Sequence, residues 1–272
     1  MKRRQFLTTA CATGLAAASM QVGQTAEPAD QPHLIDFRMI TPFNPQRKEE
    51  MLKQYGEVII PVTNKYGISP YGLFVADSQL NAKETAYDKK YDGMIFAMAP
   101  YPNFDSTLEV AGKVRNDTTY SEASTALLEG ATSNNPISTA HERKLLRCFP
   151  EFPQVKVPSL SPGRVLQLRM YRSFSSERSR AKVSQMTTEG GVLDLFAICD
   201  MKPVFMSTTL YGSFMPSIVF MLSFESEEHK TDAWAKFFDH PIWKKLSTDP
   251  QYADTVTEVV NIFLKPCQGS QI

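Results

Sequence analysis

The chain reads as an α+β fold built from two tandem βαββαβ units, the ferredoxin-like arrangement, and three observations lead there. Short runs of apolar–polar alternation are interleaved with runs of helical period. The order of these runs in the second half repeats that of the first. Between the halves, Pro150, Pro153, Pro158 and Pro162 fall within 13 residues, a composition suited to an extended link.

The first unit is expected over 33–149. Residues 34–39 alternate as a strand does. Pro45 can open a helix whose residues Met51, Tyr55, Ile59, Val62 and Tyr66 recur at three- and four-residue spacing, so one face is apolar. Pro61 should kink this helix and Gly67 should end it. Residues 70–75 form a strand, 77–92 a polar hairpin loop and 93–98 an apolar strand. Residues 120–139, rich in Ser, Thr, Ala and Asn, read as a surface excursion.

The link is expected over 150–163 and the second unit over 164–272. Residues 164–172 alternate as a strand. Residues 177–199 read as one helix with an apolar stripe at Val183, Met186, Leu193 and Phe196. Gly190-Gly191 then falls mid-helix, where each glycine costs about 1 kcal/mol relative to alanine, and close packing is the expected compensation. Residues 203–206 open a strand and 218–224 are a nearly continuous apolar one. Residues 227–239 form a helix carrying Trp234 and Phe237, and 255–264 are a β-branched final strand. The halves align: Phe37-Arg38-Met39 matches Leu168-Arg169-Met170 at an offset of 131, and Pro70 matches Pro203 at 133.

Residues 1–26 read as an export signal. Lys2-Arg3-Arg4 precedes a short apolar run with small residues, and cleavage is expected near Ala18 or Ala26. The adjacent Arg3 and Arg4 resemble a twin-arginine signal, which implies export of a folded chain to the periplasm or beyond. No second segment is long and apolar enough to span a membrane. The 29 basic residues equal the 29 acidic ones, and losing Lys2, Arg3 and Arg4 leaves 26 against 29. A slightly acidic protein gains no counterion-release affinity, which argues against a nucleic-acid partner. Cys11 departs with the signal; Cys148, Cys199 and Cys267 remain, as buried free thiols or with one disulfide among them.

From Arg164 onward the chain resembles the NIPSNAP family. The carrying residues are Leu168-Arg169-Met170-Tyr171, Pro203-Val204-Phe205, Gly212-Ser213-Phe214-Met215-Pro216, Trp234-Ala235-Lys236-Phe237, Pro241-Ile242-Trp243 and Asp249-Pro250-Gln251-Tyr252. The first half looks like a diverged copy. The resemblance implies a ferredoxin-like unit that pairs into an α+β barrel, here formed by two copies in one chain. One departure stands out: Gly190-Gly191 is followed by Val192, where family members often carry an acid.

In such a barrel, strand alternation is expected to set Ile35, Phe37, Met39, Leu166, Leu168 and Met170 against the helices. Asp36, Arg38, Gln167, Arg169 and Tyr171 then face the interior, as an anion or polar-headgroup site or as a salt bridge joining the halves. Trp234 and Trp243 are expected as core anchors or pocket aromatics. His33, His141, His229 and His240 are isolated, without metal-ligand spacing, so no metal and no cofactor are expected. Related barrels can hold haem through one histidine, which would fall to His141 or His229. No nucleophile elbow, P-loop or dinucleotide fingerprint is present, and no catalytic residue is assigned. Three functions follow: a binder of a small, partly apolar ligand in the barrel interior, a cofactor-independent monooxygenase or isomerase, or a self-associating structural module, with a homo-oligomer as a candidate assembly.

Overall fold

The computed structural model describes residues 31–84 and 87–272, so the expected signal with Arg3 and Arg4 lies outside the described residues. The first unit runs β1 (Leu34–Pro42), α1 (Pro45–Gln54), a π turn (Tyr55–Ile59), α2 (Ile60–Lys65), β2 (Gly72–Ala76), α3 (Ser78–Asn81), β3 (Ile95–Tyr101), α4 (Phe104–Arg115), α5 (Thr118–Leu128) and β4 (Ser138–Cys148). The second runs β5 (Val165–Arg172), α6 (Ser176–Thr187), α7 (Val192–Ile198), β6 (Lys202–Tyr211), β7 (Ser217–Phe224), α8 (Glu227–Asp239), α9 (Pro241–Thr248) and β8 (Glu258–Pro266).

Local chemistry sets the boundaries. Asn44 caps α1 by accepting the Arg47 N–H, and Ser175 caps α6 by accepting that of Arg178. These caps lie 131 residues apart, the offset that relates the first strands. The kink expected at Pro61 takes the form of the π turn just before it. Residues 177–199 are two helices, not one. Gly190 adopts φ +71° and Gly191 opens α7, where a Cβ would stand 2.6 Å from the Thr188 carbonyl oxygen. The glycine pair is therefore a helix break, and no mid-helix packing is needed to offset it. The expected excursion at 120–139 contains most of α5, which has no buried residue of its own and so carries no apolar stripe to read.

The eight strands close into one barrel in the order β1-β3-β2-β8-β5-β7-β6-β4. Each unit contributes four adjacent strands, and the units join at β2–β8 and β4–β6. Every neighbouring pair is antiparallel, so β1 and β5, four places apart, run parallel on opposite sides of the barrel. The pseudo-two-fold axis that exchanges the units therefore runs along the barrel axis.

The interior is the inverse of the sequence expectation. Ile35, Phe37, Met39, Leu166, Leu168 and Met170 point inward and join residues from all eight strands in one buried cluster. Asp36, Arg38, Gln167, Arg169 and Tyr171 face the helices instead. Alternation separates two faces but does not say which one the barrel encloses. An eight-stranded barrel is just wide enough for side chains to fill, so it takes the shorter apolar set, each large member contributing about 1.5–3 kcal/mol. The helix layer offers the longer polar chains both partners and a way to solvent.

One end of the barrel is stopped. Val155 of the proline-rich link and Ile272 both enter the interior cluster. The link is tied down by His33 N–H donating to the Pro153 carbonyl at 2.7 Å and Lys156 N–H to that of Val204 at 2.8 Å. Arg164 Nη2 holds the Ile272 carbonyl at 2.8 Å. Cys148, Cys199 and Cys267 are free thiols, the first two buried.

Candidate functional site

The opposite end is open. At the C-terminal ends of β1 and β5 a cavity of about 260 Å³ is bounded by Met39 and Thr41 from one strand and Met170 and Arg172 from the other. These pairs obey the 131-residue offset and meet across the pseudo-two-fold axis. Tyr91 and Met94, from the β2–β3 connection, and Phe214, from the β6–β7 hairpin, complete an apolar wall. Both units are needed to build it.

The polar side of the mouth comes from β4. Lys144 pairs with Phe37 in register and so points inward, and it is only 2 % exposed. A buried ammonium needs acceptors, and it has three: Ser213 O and Oγ, each at 2.6 Å, and Glu142 Oε1 at 2.8 Å. Ser213 Oγ also donates to Glu142. Burial pushes the Glu142 carboxyl up, but the hydrogen bonds and charge of Lys144 and Ser213 outweigh it and hold it below the ordinary carboxylate value. The hairpin reaches β4 because Gly212, at φ +135°, lies where a Cβ would be 2.9 Å from the Arg143 carbonyl oxygen.

The residues expected to form one interior site are divided between two helix layers. In the first unit, Asp36 accepts Arg38 Nε at 3.0 Å and Nη2 at 2.5 Å, and Arg143 Nε at 3.0 Å and Nη2 at 2.7 Å. Burial pushes this carboxyl up, but the two arginines outweigh it and hold it below its ordinary value. In the second unit, Gln167 accepts Trp234 Nε1 at 2.9 Å and donates to Asn261 Oδ1 at 2.8 Å. The Arg169 guanidinium lies 4.9 Å from the Trp234 ring and 5.3 Å from that of Tyr171. Arg38 and Arg169 thus share no interior site; they sit on opposite sides of the barrel. Trp243 packs on Phe237 at 4.9 Å, so both tryptophans belong to the aromatic layer under α8 and α9.

His141 lies on β4 on the same face as Arg143, and burial together with Arg38 and Arg143 pushes its pKa down. His229 Nδ1 accepts the Glu225 N–H at 3.2 Å beside α8. Among the described residues, no three His, Cys, Asp or Glu side chains converge as a metal site, and no helix is long and apolar enough to cross a membrane.

Residues 166–271 match the NIPSNAP family. No curated protein matches the chain. Among solved structures, a candidate monooxygenase from Lactobacillus acidophilus NCFM superposes with a TM-score of 0.52 at 11 % identity, over 88 % of this chain and 98 % of that one. An anthrone oxidase-like protein gives 0.50 at 9 % identity, over 90 % and 97 %. A candidate monooxygenase from Fusobacterium nucleatum gives 0.50 at 6 % identity, over 87 % and 93 %. At these identities the likeness is one of fold, and it extends across both units, whereas the NIPSNAP match lies in the second alone.

Sequence reasoning missed Glu142, Lys144, Ser213 and Phe214. The signal was present in the alternation of Glu142 and Lys144 with the buried Leu146 and Cys148 on one strand face. It is legible only once β4 is known to be a strand.

Proposed function

We propose that this chain is an exported binding protein that holds a small, partly apolar ligand in the mouth of its barrel. The observation that carries the reading is the difference between the two barrel ends. Val155 and Ile272 stop one end, while the other keeps a cavity of about 260 Å³ with methionine and aromatic walls and a fixed Lys144–Glu142–Ser213 cluster. Such a lining gives an apolar body contact area and a polar end a few fixed partners. Methionine walls adapt to irregular shapes.

The test is mass spectrometry of small molecules carried through native purification. Ala140 lies exposed on the rim, so Ala140→Trp sets an indole over the opening without disturbing the core. The wild type is expected to carry a molecule that Ala140→Trp lacks at an unchanged melting temperature. Equal loading of both proteins, or none in either, overturns the reading.

A further inference from the structure

A second cavity, separate from the barrel mouth, lies between the first unit's sheet and α2, α4 and α5. It holds about 220 Å³, room for a small molecule or several waters. Among the described residues, Arg38, Arg143 and Arg115 line it against one acid, Asp36. One carboxylate offsets one of three guanidinium charges. The inner edges of Arg38 and Arg143 are taken up by Asp36, which fixes both forks. Arg143 Nη1 has no hydrogen-bond partner among the described residues, and Arg38 Nη1 has only Tyr55 Oη at 3.5 Å.

Tyr71 is 2 % exposed and Tyr101 is 6 % exposed, and both line the cavity. Neither hydroxyl has a hydrogen-bond partner among the described residues. Their rings are buried while their hydroxyls open on the cavity, so beside surplus guanidinium charge the two phenols offer donors to an acceptor that the chain does not supply. An oxyanion is the acceptor that suits both donor types.

We infer that this cavity binds a small oxyanion-bearing molecule, carboxylate or phosphate, through Arg38, Arg143, Tyr71 and Tyr101. Asp36 is a positioning residue that holds the two arginines in place.

Isothermal titration of the full chain with inorganic phosphate, acetate and benzoate tests this, and the three probes separate a phosphate from a carboxylate and a bare anion from an arene acid. At least one is expected to bind saturably below about 10 mM. Tyr71→Phe and Tyr101→Phe each remove one oxygen from a site whose hydroxyls bond nothing in the chain. Each is expected to weaken that probe about tenfold with the melting temperature of the free protein unchanged. Arg143→Gln, at a largely exposed side chain, should weaken it further. No saturable binding of any probe overturns the inference, as does binding that both phenylalanine variants retain in full.

Discussion

The two units place an arginine at the same point of the same strand and neutralise it by different means. Arg38 faces Asp36, which also takes Arg143. The counterpart of Asp36 at the 131-residue offset is Gln167, which is neutral and already bound to Trp234 and Asn261. The counterpart of Arg143 in the strand register is Asn261. Arg169 therefore meets aromatic faces instead of a carboxylate, and its Nε is buried with no partner. Lys182, 8 % exposed, shares this layer and finds the Gln185 amide oxygen, at 2.6 Å, and the Tyr171 ring, 5.5 Å away, but no carboxylate among the described residues. Where the arginine is ion-paired the layer keeps a cavity; where it is stacked, Phe196, Trp234 and Phe237 fill the layer. Two units of one fold can thus place the same charge and differ in what answers it.

Removing the carboxylate from the first unit should break the comparison most sharply. Asp36→Asn leaves Arg38 and Arg143 side by side with no counter-charge. The expected loss is about 3 kcal/mol by urea denaturation, at the low end for a broken buried pair because Arg143 is largely exposed and re-solvates. The folded-state pKa of Asp36 is depressed, so its contribution is present above the unfolded value of about 3.9 and is lost as pH falls through the folded value. The difference between wild type and variant should therefore shrink as pH drops below about 4. A loss under about 1 kcal/mol at neutral pH would mean that the first unit does not rely on its ion pair.

The second unit should respond in the opposite sense. Burial first, and Arg169 second, push the Lys182 amine down to about 8 from 10.5. Between those values the unfolded chain binds a proton that the folded one does not, so stability rises with pH across that interval. The cost is fully present below about pH 8 and absent above about 10.5, and the shift corresponds to about 3 kcal/mol. Lys182→Met is expected to be more stable than wild type by up to that amount at pH 7, with the gain fading toward pH 10.5. A variant less stable at pH 7 would show that the Gln185 hydrogen bond and the Tyr171 contact outweigh the cost of burying the amine.

How much of this was legible depends on which interactions are local. Strand and helix periods and the matching Phe37-Arg38-Met39 and Leu168-Arg169-Met170 segments are written within short windows, and they carry the α+β units. The Gly190-Gly191 break is written there too, but an apolar stripe continuing through it masked the signal. Which strand face the barrel encloses is not local. Phe37 and Arg38 are adjacent, and only closure through β2–β8 and β4–β6 decides which of them goes inside. The barrel mouth depends on the same closure, since Met39 meets Met170, and Lys144 meets Ser213, only across the unit boundary.

The smallest expected effect comes from the arginine that the sequence made most conspicuous. Had Arg169 faced a buried carboxylate, Arg169→Met would strand that charge at a cost of about 3 kcal/mol or more. No carboxylate lies within ion-pair distance of Arg169 among the described residues, so that term is absent. What is lost is stacking on Trp234 and Tyr171, about 0.5–2 kcal/mol. What is relieved is an unpartnered buried Nε, about 1–3 kcal/mol, together with repulsion of Lys182. These oppose, and the net change should stay within about 1 kcal/mol. Stability alone would not separate this cancellation from a side chain that does nothing, so the discriminating readout is Lys182. With Arg169 gone, one of the two causes depressing its amine is gone, and its pKa should rise toward 10.5 in a lysine-resolved NMR titration. An unmoved Lys182 would mean that the two cations do not sense each other, and a loss of about 3 kcal/mol would mean that the second unit neutralises its arginine as the first one does.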